Sequence, residues 1–138
     1  MDAASVIEAL RLEPHPEGGH YRETWRHDPG DGSRGAGTAI LFLLAAGERS
    51  HWHRVDADEL WHFHAGDALR LETSDGDGVH ASVLGVDLVA GQQPQLLVPA
   101  AHWQSAEPLG EWTLVGCTVS PAFRFEGFEL APEGWSPG

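Results

Sequence analysis

Glycine and proline cut this chain into short apolar runs, and that cadence leaves few folds open. Residues 20–26, 38–44, 59–64, 69–73, 81–84, 95–98, 112–119 and 123–130 read as strands. Between them stand Gly47, Gly66-Asp67, Asp75-Gly76-Asp77-Gly78, Gly91, Pro99 and Pro121, all residues that punctuate strands with turns. Long helical periods are missing, so the pattern predicts an all-β sandwich or barrel rather than alternating β and α units. One short helix is expected over 3–12, where Val6, Ile7, Leu10 and Leu12 recur on one face and Asp2 or Ser5 can cap. Pro14 and Pro16 stop it, and Pro16-Glu17-Gly18-Gly19 reads as a turn. Residues 28–37 read as a loop, and 132–138 as a loose tail.

The whole chain, 138 residues, reads as one domain that can bury roughly 68–70% of its unfolded surface. Its net charge is −13, and all eight basic residues are arginines. Nucleic acid and anionic membranes both need basic patches, so neither is expected as a partner. No apolar run approaches the roughly 20 residues of a membrane span, and the first 19 residues lack the basic and apolar regions of a secretory signal. Cys117 is the only cysteine, which rules out an internal disulfide; within an apolar run it reads as buried and inert. These features favour a cytoplasmic protein.

The chemistry concentrates between Gly47 and Gly66. That stretch holds four histidines, two tryptophans and several carboxylates, and a Pro99 to Trp103 run follows it. Histidine with carboxylate can ligate a metal or move protons. Placed on β scaffolding, the pattern points to a small-molecule site.

The order of these residues resembles the cupin superfamily. Gly47, His53, Glu59 and Gly66 fall at the spacing of the first cupin motif, and 99–104 has the frame of the second. More closely, the chain resembles the cupin group called domain of unknown function 985. The matching segments are 12–19 (LEPHPEGG), 52–63 (WHRVDADELWHF) and 115–121 (VGCTVSP), and the likeness runs over about 6–131. The resemblance implies a double-stranded β-helix, the jelly-roll barrel, over about 18–131, with a pocket inside and assembly as a homodimer. It implies no particular reaction. Of the four usual cupin metal positions, His53 and Glu59 match, whereas Val55 and Gln104 replace histidines.

Alternate side chains of an extended strand share a face. If 53 and 104 face the cavity, so do 51 and 102, and His51, His53, Glu59 and His102 form a candidate ligand set for a divalent transition metal. A bulge in either strand would reverse that parity. A metal-free polar pocket is the alternative, and no nucleotide cofactor is expected. By the same alternation Trp61 and Phe63 face inward as pocket wall or as core, while His62 and His64 face outward. Tyr21 or Arg22 could reach the mouth and meet an anionic group, with Gln104 completing the pocket. His15, His27 and His80 sit in turn-rich or polar surroundings and carry no functional signal. Arg54 to Asp58 reads as a charged turn with a local ion pair.

Three functional readings follow. In a metal-free enzyme, His53 is the base, Glu59 orients it, and Tyr21 is the one phenolic acid available. In a metal enzyme, His53 and Glu59 hold the ion with His51 or His102. The third is a ligand-binding or sensor module without turnover.

Overall fold

A computed structural model describes residues 1–138, and strands dominate its regular structure, with one short helix. Helix α1 (Ala3–Leu10) starts where Asp2 Oδ1 accepts the Ser5 N–H at 2.8 Å, and it ends at Arg11 in the left-handed region. The strands are β1 (Glu13–Pro14), β2 (His20–Arg26), β3 (Thr38–Ala45), β4 (Ser50–Val55), β5 (Asp58–Gly66), β6 (Leu69–Ser74), β7 (His80–Leu84), β8 (Gln95–Val98), β9 (Trp103–Pro108), β10 (Trp112–Ser120) and β11 (Phe128–Leu130). They form two antiparallel sheets, ordered β1-β2-β3-β10-β5-β8 and β11-β4-β9-β6-β7. This is the all-β cupin barrel with a short N-terminal helix.

Between the sheets, one half of the barrel is filled and the other is open. Phe42, Leu44, Trp61, Leu69, Leu71, Leu84, Val98 and Val115 pack as the filled half. Full burial of each such side chain contributes about 1.5–3 kcal/mol. Following β3, β5 or β10 outward, the inward positions change character: Phe42 gives way to Ile40 and Thr38, Trp61 to Glu59, and Val115 to Cys117 and Val119. The smaller and polar residues line a cavity at that end. A separate cluster under α1 packs Val6, Leu12 and Leu43, and the Arg22 Nε–H donates to the Leu10 carbonyl at 2.8 Å to hold the helix down.

Several sequence expectations need correction. Residues 123–130 are not one strand: a 3-10 turn (Phe125–Gly127) leads into the three-residue β11. The tail is not loose along its length, because Trp135 packs on Trp103 with ring centroids 4.6 Å apart. The ion pairs of 54–58 are long-range, with Arg54 on Glu129 and Asp56 on Arg34 and Arg124. No helix is long and apolar enough to cross a membrane.

Candidate active site

The cavity is small, about 60 Å³, and opens to solvent at its mouth. Its inner polar wall comes from His15, Glu17, His53, Glu59 and Cys117, with Tyr21 and the exposed Glu23–Arg26 ion pair also lining it. Glu17 is carried by the turn between β1 and β2. Gly18, at φ +110°, presses that turn against β4: a Cβ there would fall on the Arg49 carbonyl. The turn therefore delivers a carboxylate into the barrel beside His53.

His53 and Glu17 are 2% and 8% exposed, and His53 Nδ1 lies 2.9 Å from Glu17 Oε2. The same nitrogen is 2.7 Å from the His51 carbonyl. Both neighbours are acceptors, so Nδ1 keeps its proton and Nε2 is the nitrogen that titrates. Burial alone would lower the His53 pKa, but the Glu17 carboxylate, assisted by Glu59, raises it to about 9. Burial likewise pushes Glu17 upward, and the His53 charge and hydrogen bonds reverse this and hold it below the usual range. The Ser50 hydroxyl also donates to Glu17 Oε2 in a short hydrogen bond.

Glu59 has different company. Burial raises its pKa to about 7, opposed by the His53 charge and by hydrogen bonds from Gln104 and Cys117, while the Glu17 charge adds to the rise. Gln104 Nε2–H donates to Glu59 Oε1 at 2.8 Å, and Trp61 Nε1–H donates to Gln104 Oε1 at 2.8 Å. Trp61 can only donate, so it fixes which way the Gln104 amide points. Burial, Glu59 and Glu17 push the Cys117 thiol far up, keeping it protonated.

Of the expected site residues, the cavity receives His53, Glu59 and Tyr21. Trp61 and Gln104 do not line it; they are buried supports behind Glu59. Phe63 packs against the filled half of the barrel. Arg22 is turned to α1. His51 is turned out of the barrel, with Nε2 3.0 Å from the Pro132 carbonyl. The reason is a β-bulge: Ser50 pairs with Ala106 and His53 with Gln104, so three steps along β4 match two along β9. Ser50, not His51, therefore shares the inner face with His53. His102 lines a separate surface cleft with Ser74 and His80.

The residues present consequently do not fit a protein-held divalent metal. His51 and His102 lie outside the cavity, both ends of the Gln104 amide are engaged, and no three His, Cys, Asp or Glu side chains gather at metal-holding geometry. The set of His51, His53, Glu59 and His102 is thereby overturned.

The sequence reading missed Glu17 and His15. A carboxylate beside a Gly-Gly pair in a tight turn was the available signal, since the glycines let the turn approach the barrel wall. It also missed Phe123, Phe125 and Phe128, which line the outer cavity in mutual edge-to-face contact.

Cupin_5, described as Cupin superfamily (DUF985), matches residues 4–131. The chain belongs to this family. Among solved structures, protein SO0799 from Shewanella oneidensis is 43% identical, with a TM-score of 0.90 over 95% of this chain and 85% of that one. A hypothetical protein from Leishmania major is 32% identical, with a TM-score of 0.86 over 95% and 88%. More distantly, a dTDP sugar isomerase from Desulfovibrio desulfuricans G20 is 16% identical, with a TM-score of 0.63 over 89% and 88%, which is a likeness of fold. No curated protein matches the chain in sequence.

Proposed function

We propose that this cupin binds a small molecule in the barrel cavity and moves a proton on it without a protein-held metal. The observation that carries the reading is a pair of buried carboxylates with divided roles around His53. Glu17 is the permanent counter-ion, and Glu59 titrates near pH 7 on the cavity wall. An acid–base group works best when its pKa lies near the working pH, so Glu59 takes the role first expected of His53. His53, charged at pH 7, presents Nε2–H to an oxygen on which negative charge develops. Glu59 accepts a proton from the carbon or hydroxyl next to that oxygen and returns it to the product. Tyr21, its hydroxyl free of partners in the chain, is the second proton donor available on the wall.

An isomerase chemistry of this kind needs no net redox change. The fold likeness to a sugar isomerase makes it the first class to test. The experiment incubates the protein in D2O with a panel of sugars and small keto and hydroxy acids, and reads C–H to C–D exchange by NMR. Exchange on one class, lost in Glu59→Gln and in His53→Ala, is the expected result. Exchange that survives Glu59→Gln overturns the assignment of Glu59. Saturable binding with no exchange selects the binding-module reading, which the aromatic lining of the mouth favours.

A further inference from the structure

The outer face of the six-stranded sheet is covered over one half and bare over the other. On β3 and β10 the outward positions alternate with Thr38, Ile40, Cys117 and Val119, which line the cavity. Helix α1 covers the first half, where Val6, Ile7 and Leu10 pack over Leu41, Leu43 and Leu114. Two residues back along β3, at Ala39, that cover has ended. There Trp25, Ala39, Thr118, Leu60 and Leu97 form one row, each paired directly with the next across β2, β3, β10, β5 and β8. Trp25, Leu60 and Leu97 are 52%, 38% and 55% exposed. The Trp25 ring lies over Gly37, where an added Cβ would come within 3.0 Å of it. Large side chains therefore stand on the flanking strands and small ones on the middle strands, which levels a sheet that curves round the barrel.

The polar groups on this half are already engaged with one another. Gln95 Nε2–H donates to His62 Nδ1 at 3.1 Å, so His62 Nε2–H donates to the Thr118 hydroxyl at 3.0 Å. Burial, with His64 nearby, lowers the His62 pKa and leaves the ring uncharged at pH 7. Water can leave such a surface without stranding the imidazole. Neither this row nor the next one toward α1 holds a carboxylate, in a chain of net charge −13. The outward carboxylate of β5 is Asp58, opposite Ser120 at the rim. An apolar centre with a polar rim is the anatomy of an interface. Two copies of so acidic a chain repel over most of their surface, and a face without acids is where that repulsion is weakest and the apolar gain largest.

We propose that this bare half of the sheet is where two copies of the chain pack, sheet against sheet, about a two-fold axis. The neutral row is matched to itself, as a two-fold interface requires. The pairing is independent of what the cavity binds.

Sedimentation velocity of the full chain from about 1 μM to about 1 mM spans specific pairs of ordinary strength. A concentration-dependent dimer is expected. Leu97→Asp and Leu60→Asp each set a carboxylate against the partner copy and should raise the dimer Kd at least about tenfold. Val89→Asp adds the same charge in the exposed loop between β7 and β8 and should leave the Kd unchanged. Added salt screens the repulsion between the two acidic copies and should tighten the dimer. Far-ultraviolet circular dichroism of each variant checks that the barrel is kept, and if Leu60→Asp unfolds, Leu97→Asp on the edge strand decides alone. A monomer at every concentration assigns the face to a different partner and overturns the proposal. A dimer unmoved by Leu97→Asp, loosened equally by Val89→Asp, or weakened by salt overturns it as well.

Discussion

Glu17 and Glu59 line one cavity, are buried to the same degree, and have their pKa values moved in opposite directions. Burial pushes both toward the neutral acid. Glu17 resists because it touches the His53 cation and takes a hydroxyl hydrogen bond; Glu59 takes an amide and a thiol, which are uncharged donors. A charged partner in direct contact outweighs desolvation, and neutral donors only soften it. One carboxylate is thereby fixed as part of the structure and the other is left able to titrate.

The sharpest way to break this contrast is to neutralise each in turn. Glu17→Gln leaves the buried His53 without its counter-ion and should cost about 3–5 kcal/mol in urea unfolding. Glu59→Gln replaces a group already half neutral at pH 7 and should cost less than about 1 kcal/mol. Equal losses would show that the two sites are not different in kind.

The pH dependence of stability follows from the same shifts. Glu59 binds its proton more tightly folded than unfolded, so its contribution is complete below pH 4.5 and is lost as pH rises through about 7. His53 has the same sign, complete below 6.5 and lost through about 9. Glu17, held low, contributes above 4.5 and loses its share as pH falls below that. Unfolding free energy should therefore fall between pH 5 and 9. Urea titrations of Glu59→Gln should flatten the lower part of that fall and keep the upper part; a wild-type curve rising with pH would contradict both shifts.

A smaller effect tests the wiring behind Glu59. Trp61→Phe removes the donor to Gln104 and should cost about 1–3 kcal/mol. With the amide free to turn its carbonyl toward Glu59, the carboxyl pKa should move above about 7, read by carbon NMR of that side chain. No movement would mean that Trp61 only fills space. The smallest effect belongs to His51→Ala. It should change stability by about 0.5 kcal/mol or less and leave ligand binding intact, because His51 faces away from the cavity.

The sequence made the barrel readable because inward positions alternate along β3, β5 and β10, and the glycine and proline breaks mark where strands turn. His53 and Glu59 were readable for the same reason, each on its own strand. Alternation also placed Trp61 and Phe63 inward, as the structure has them, but it carries no depth: two residues further along β5 the interior is packed core rather than cavity. Glu17 was hidden because its proximity to His53 is a tertiary fact, made by a turn that crosses to the other sheet. His51 was misplaced because the β4 bulge leaves no mark in the order of side chains.

That bulge has a bearing on how this chain is aligned with others. Strand β4 carries one residue more than its neighbour needs, so a relative one residue shorter between positions 50 and 53 would form an unbroken ladder with the same two side chains turned inward. An alignment that forbids a gap between positions 50 and 53 will therefore credit the pocket to His51 rather than His53.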